Sequence, residues 1–156
     1  VYLPYLAGEK SPIWNSDARG VFFGMSLSTD YGAFVRAIME GVALSMRDCM
    51  EIMPAAKTSA SPIPLGGGAA NSRVWCQIFA DVLNRPIVRL KSGETETLGD
   101  FIVAAESVGL SEVSRDFGKK LAAESEVLYP DSAAVEVYDK AYQKYKAVYQ
   151  NTKTLF

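Results

Sequence analysis

The chain has 156 residues, 49% hydrophobic and 22% charged, a composition that suits one compact domain over residues 1–156 and excludes a disordered one. A formal charge of -2, from 16 basic and 18 acidic residues with no long run of either sign, argues against nucleic acid or a membrane surface as a partner. The absence of histidine removes His-based acid–base chemistry, the Ser-His-Asp arrangement and the usual zinc sites, so any proton transfer falls to carboxylates.

Residues 1–28 mix aromatics (Tyr2, Tyr5, Trp14, Phe22, Phe23) with turn formers (Pro4, Gly8, Pro12, Asn15, Asp17, Gly20, Gly24). The mixture predicts a packed loop whose aromatics lie against something, with a turn at Asp17–Gly20 from which Arg19 pairs with a carboxylate or reaches a ligand. From Tyr31 the spacing predicts the longest helix. Its apolar stripe is Phe34, Val35, Ile38, Met39, Val42, Met46, Cys49, Met50 and Met53, with Arg36, Glu40, Arg47, Asp48 and Glu51 off it. Ser28, Thr29 or Asp30 caps its start and Pro54 stops it. Gly41, in mid-helix, costs about 1 kcal/mol relative to Ala, which suggests a close backbone approach there.

Ala55–Ser61 reads as a small polar connection. In Ser61-Pro62-Ile63-Pro64-Leu65 the two prolines remove two donors and demote the run to an edge or irregular strand. Beyond the glycines, Val74, Trp75, Ile78, Phe79, Val82 and Leu83 outline an amphipathic helix ended by Pro86, and Pro86–Leu90 is a short strand. Lys91–Glu94 turns. Leu98, Phe101, Ile102, Ala105 and Val108 predict a helix capped near Thr95 and closed by Gly109. A short helix around Glu112–Phe117 is followed by an irregular path through Tyr129-Pro130. Asp131 or Ser132 then caps a last helix with the face Val135, Tyr138, Ala141, Tyr142, Tyr145, Val148 and Tyr149, its tyrosines keeping wet tips. The order of elements predicts an α/β fold with a sheet between helices. Cys49 and Cys76 fall on helices without a CxxC spacing, as buried free thiols of a reducing cytosol do.

Leu65-Gly66-Gly67-Gly68-Ala69-Ala70-Asn71-Ser72 joins the proline-marked strand to a helix that starts near Asn71. A helix N-terminus offers unpaired N–H groups, and glycines remove the side chains that hold a phosphate or nucleotide at a distance. The same residues also suit a strand-to-helix corner with no ligand. The pattern is neither a P-loop, for no Lys-Ser/Thr follows, nor a dinucleotide fingerprint. Asp17, Glu40, Asp81 and Asp100 are conceivable bases, but turn, helix-face and capping roles explain them at lower cost.

Four blocks together resemble the FGGY carbohydrate kinases, and within that family the xylulose kinases. They are Tyr2-Leu3-Pro4-Tyr5-Leu6 with Gly8-Glu9-Lys10-Ser11-Pro12; Asp17-Ala18-Arg19-Gly20 with Phe23-Gly24; Arg36-Ala37 through Glu40-Gly41-Val42-Ala43; and Gly66-Gly67-Gly68-Ala69 followed by Trp75, Gln77, Ala80-Asp81-Val82-Leu83, Glu94 and Leu98-Gly99. The resemblance implies part of the C-terminal lobe of the actin-like ATPase (sugar kinase/Hsp70/actin) fold, a ribonuclease H-like sheet with packed helices. It implies transfer of the γ-phosphate of ATP, with Mg²⁺, to a sugar hydroxyl, D-xylulose becoming D-xylulose 5-phosphate, in a cytoplasmic enzyme. By the same resemblance Gly67, Gly68 and Ala69 line the adenine nucleotide, and Asn71 and Ser72 are the two candidates for the side chain beside the base. No catalytic residue or metal ligand is expected here, because the family's catalytic aspartate and most sugar contacts belong to an N-terminal lobe that this chain lacks. If the missing part of its own lobe supplies the neighbouring strands, the aromatic loop of residues 1–28 and the sheet edge near Ile63 lose their cover, and homo-oligomer formation is expected. The alternatives are a non-catalytic nucleotide-sensing or interaction module of the same fold, and a kinase for glycerol, ribulose or gluconate.

Overall fold

The computed structural model of the protein describes residues 1–53, 61–90 and 95–156. Pro54, most of the polar connection that follows it, the Lys91–Glu94 turn and the Glu94 of the resemblance lie outside the described residues. No helix among the described residues is long and apolar enough to cross a membrane. The chain forms two compact units, one of Val1–Ala60, Asp81–Asn84 and Pro130–Phe156, the other of Ser61–Ala80 and Arg85–Tyr129.

In the first unit, β1 (Tyr2–Leu3) pairs antiparallel with β2 (Val21–Phe22), so the predicted loop contains a small ribbon. Tyr2, Leu3, Tyr5 and Ala18 are buried, whereas the indole of Trp14 is 75% exposed, so only part of the aromatic set packs inward. Among the described residues Arg19 pairs with no carboxylate. Its guanidinium donates to the carbonyls of Ser16 (3.0 Å) and Ala18 (2.8 Å), closing its own turn.

Helix α1 (Tyr31–Ile52) starts where Asp30 Oδ1 accepts the Ala33 N–H at 2.7 Å. Its buried face is not the predicted stripe. Gly41, Ala43 and Leu44 are buried, while Val35, Ile38 and Met46 remain 38%, 42% and 46% exposed. The reason is the partner. Helix α5 (Ser132–Thr152), capped by Asp131 Oδ1 accepting from Ala133 N, brings a row of buried tyrosines to the polar flank of α1. Tyr138 donates to Glu40 at 3.0 Å and Tyr142 to Asp48 at 2.6 Å. The Tyr145 and Tyr5 hydroxyls meet at 2.5 Å, and Asn15 Nδ2 donates to Tyr149 at 3.2 Å. The expected wet tips are therefore protein hydrogen bonds, each of which lets a phenol be buried without an orphaned hydroxyl.

In the second unit, β3 (Ile63–Leu65) pairs parallel with β4 (Ile87–Arg89), which pairs antiparallel with β5 (Glu126–Leu128). β3 is an edge strand, as its prolines require: Ile63 N donates to Pro86 O and Leu65 O accepts from Leu90 N, so alternation turns the donor-less nitrogen of Pro64 away from β4. The amphipathic helix is α2 (Arg73–Leu83), with Cys76, Ile78, Phe79 and Ala80 buried in this unit. Its chain turns at Asn84, in the left-handed region at φ 49°, before Pro86. α3 (Thr95–Ser107) ends at Gly109, φ 80°, and α4 (Ser111–Ala123) packs on it through Phe101 and Phe117, ring centroids 5.4 Å apart. α4 is longer than predicted, and β5 stands where no strand is expected from the sequence, because three residues carry no readable alternation. Both cysteines are free, Cys76 buried and Cys49 partly so.

Candidate functional site

The glycine corner lies between β3 and α2. Gly67 adopts φ 70°, ψ -158°, a region that only glycine occupies readily, and Gly68–Asn71 then wind as a single 3₁₀ turn. The helix thus opens at Arg73 rather than near Asn71. Ser72 is the hinge: its backbone is extended, its N–H donates to Ala69 O at 3.1 Å, and its Oγ accepts the Trp75 N–H at 3.2 Å. That capping contact occupies the Ser72 side chain, whereas Asn71 is exposed.

Among the described residues, a Cβ built on Gly67 or Gly68 meets no atom within 4 Å beyond its chain neighbours. At Gly67 the backbone explains the glycine. At Gly68 neither a left-handed φ nor crowding among the described residues demands one. Gly67, Gly68, Ala69, Asn71 and Ser72 are brought together in this one corner, with Ala69 half-buried and the adjoining Ala70 fully buried.

Three charged residues that the sequence does not single out hold the corner from behind. Arg89, the last residue of β4, donates through Nε to Ala70 O at 2.6 Å and through Nη2 to Asn71 O at 3.4 Å. Its Nη1 meets Glu126 Oε2 at 3.1 Å, and Glu126 Oε1 accepts from Arg73 Nε at 2.8 Å. Arg89 and Glu126 are directly opposed across the β4–β5 ladder. Hydrogen bonds from Arg73 and then Arg89 hold the Glu126 carboxyl below the usual carboxylate range. The available signal is one of sequence: a charged residue ending a short apolar strand, and another in a segment that reads as irregular.

Among the described residues no group of three or more cysteines and carboxylates is placed to hold a metal ion. Two of the conceivable bases are committed elsewhere. Glu40 accepts from Arg36 and Tyr138, and Asp81 accepts the Asp131 N–H at 2.9 Å.

An edge strand, a glycine at positive φ and a 3₁₀ turn leading into a helix on a mixed sheet make this an α/β segment; its likeness to solved sugar kinases places it in the actin-like ATPase class. The profile of the FGGY family of carbohydrate kinases, C-terminal domain, matches residues 1–108, and the chain belongs to that family. It is 35% identical over 155 residues to the xylulose kinase of Staphylococcus epidermidis, covering 99% of this chain and 31% of that protein. It is also 35% identical over 116 residues to the gluconokinase of Bacillus subtilis, covering 70% of this chain and 21% of that protein. The crystal structure of ligand-bound xylulose kinase from Lactobacillus acidophilus matches with a TM-score of 0.78 at 27% identity, over 98% of this chain and 31% of that one. The chain thus spans about a third of the length of the xylulose kinases it matches.

Proposed function

We propose that this chain is the nucleotide side of an ATP-dependent sugar kinase, with both compact units belonging to one C-terminal domain. In this reading the γ-phosphate of ATP passes to a sugar hydroxyl, and residues outside this chain supply the acceptor pocket, the catalytic base and the Mg²⁺ ligands. The observation that carries the reading is the open space in front of Gly68, next to a strained glycine and a 3₁₀ turn, in a family of carbohydrate kinases. Gly67, Gly68 and Ala69 bring backbone against the adenosine. Asn71 is the side chain we assign to the base, because Ser72 already caps α2. D-Xylulose is the first sugar to test, since the S. epidermidis xylulose kinase is 35% identical over 99% of the chain, and gluconate and glycerol belong beside it in the same panel. We place the enzyme in the cytoplasm, where two free thiols are at ease.

The decisive comparison is calorimetric titration of ATP into wild type and Gly68→Val. A Cβ there meets no atom of the described residues within 4 Å beyond its chain neighbours, and circular dichroism confirms that the variant is folded, so that its effect reports on the ligand. The wild-type chain should bind more weakly than about 100 μM, roughly 5.5 kcal/mol, because most of the phosphate contacts lie elsewhere. Folded Gly68→Val should bind with no detectable heat. Equal binding by the two proteins would make the corner structural only. Ser72→Ala is a poorer probe, since loss of the cap costs about 1 kcal/mol of helix stability whatever the ligand. In the same samples a coupled ADP-release assay with Mg²⁺ and xylulose should stay at background, and turnover that survives re-purification would place a complete catalytic site within these residues.

A further inference from the structure

The corner is shaped by contacts from outside its own segment. A 3₁₀ turn of four residues has poor internal hydrogen bonding, and of the turn's own side chains only the Ala70 methyl is buried. What fixes it is Arg89, whose guanidinium spans two successive carbonyls, Ala70 O and Asn71 O, while its other edge is tied to Glu126. Because each peptide is planar and trans, a carbonyl held toward β4 turns the following N–H the opposite way. The grip on Ala70 O therefore sets the direction of the Asn71 N–H. Glu126 in turn grips Arg73, the first residue of α2, so turn, helix start and two strands share one charged network.

We infer that Arg89, braced by Glu126, is a positioning residue for the nucleotide: it holds the 68–71 turn in the form that receives an adenine nucleotide, without touching that nucleotide itself. The inference rests on the reading of the corner as the nucleotide side of the kinase. It goes beyond the family match in one respect: Glu126 and all of β5 lie outside residues 1–108. Lysine cannot replace the arginine, because one ammonium cannot span both carbonyls and the carboxylate as a planar fork does.

The test is steady-state kinetics of the full-length protein that carries this segment, with ATP and xylulose varied in turn, for wild type, Arg89→Met, Arg89→Lys, Glu126→Gln and Gly68→Val. Arg89→Met should raise the KM for ATP about tenfold, with the KM for xylulose and kcat changed by less than about twofold. Glu126→Gln should give a smaller rise in the KM for ATP, since the amide still accepts from Arg89 but no longer carries charge, and Arg89→Lys should fall between wild type and Arg89→Met. A purely structural salt bridge predicts a lower melting temperature with the KM for ATP unchanged. If Gly68→Val raises the KM for ATP and none of the Arg89 and Glu126 variants does, the positioning role is wrong and the nucleotide reading stands. If Gly68→Val also leaves it unchanged, the nucleotide reading itself fails and the positioning role falls with it. Should Arg89→Met not fold, Arg89→Lys and Glu126→Gln decide between the same outcomes.

Discussion

Raising the pH above 10 is expected to unfold the tyrosine-rich unit in a single steep transition rather than to titrate its phenols one by one. Four buried hydroxyls have elevated pKa values, each first of all through burial. Tyr5 is pushed up further by Tyr145, Tyr138 is brought to about 12 with help from the Glu40 charge, Tyr142 is raised by its bond to Asp48, and Tyr145 by burial. An unfolded tyrosine ionises near 10. Below that value both states hold their protons and the contribution to stability is fully present. Above it the unfolded chain has lost protons that the folded one retains, so stability falls with rising pH by about 1.4 kcal/mol per pH unit for each retained proton. Four such groups together give a slope of at most about 5.6 kcal/mol per pH unit, and less above about 12, where Tyr138 loses its own proton. That is enough to exhaust a typical stability of about 5–15 kcal/mol within one to three units. Tyrosinate absorbance and far-ultraviolet circular dichroism should therefore change together on a pH titration. Smooth ionisation of all eight tyrosines around 10 with the helical signal intact would show that the hydroxyls are solvated and that the α1–α5 bonds are not made. Tyr142→Phe removes one proton from the balance, and the pH dependence of its urea midpoint should be shallower by about a quarter.

The same tyrosines mark where sequence reading stops. Their spacing on α5 is legible, and so are the caps at Asp30 and Asp131, because periodicity and capping are decided within a few residues. The edge position of β3 follows from Pro64, and the exceptional backbone at Gly67 from its place in a glycine run. What a phenol bonds to is decided by another element. The partners of Tyr138 and Tyr142 lie 98 and 94 residues away, and they sit on the flank of α1 that its sequence presents as solvent-facing. α1 is apolar around much of its circumference, so its stripe alone does not tell which side is covered. The Arg89–Glu126 pair is hidden for a related reason. It exists only once β4 and β5 are neighbours, across 37 residues, and β5 is too short to announce itself. The corner residues are therefore legible in the sequence, and the charged residues that hold the corner are not.

Two glycine-to-alanine substitutions, each inside a helix, are expected to move stability in opposite directions. At Gly41 a Cβ would lie 2.5 Å from the carbonyl oxygen of Tyr2 and 2.9 Å from its ring. The obstacle at 2.5 Å is backbone, so no rotamer change relieves it. β1 would have to move, and with it the pairing of Tyr2 with Phe22, whose rings stack at 4.4 Å. Overpacking of this kind costs about 1–3 kcal/mol or more, against about 1 kcal/mol gained in helix propensity, so Gly41→Ala should be destabilising on balance. Gly41→Val adds bulk without the propensity gain and should cost about 3 kcal/mol or more. At Gly118, in α4, a Cβ meets nothing among the described residues within 4 Å and φ is not left-handed. Gly118→Ala therefore keeps only the propensity term and should stabilise its helix by up to about 1 kcal/mol. Thermal unfolding of the three variants reads the signs directly, at about 2–4 °C per kcal/mol for a chain of this length. A Gly41→Ala protein as stable as wild type would mean that α1 does not lie against β1.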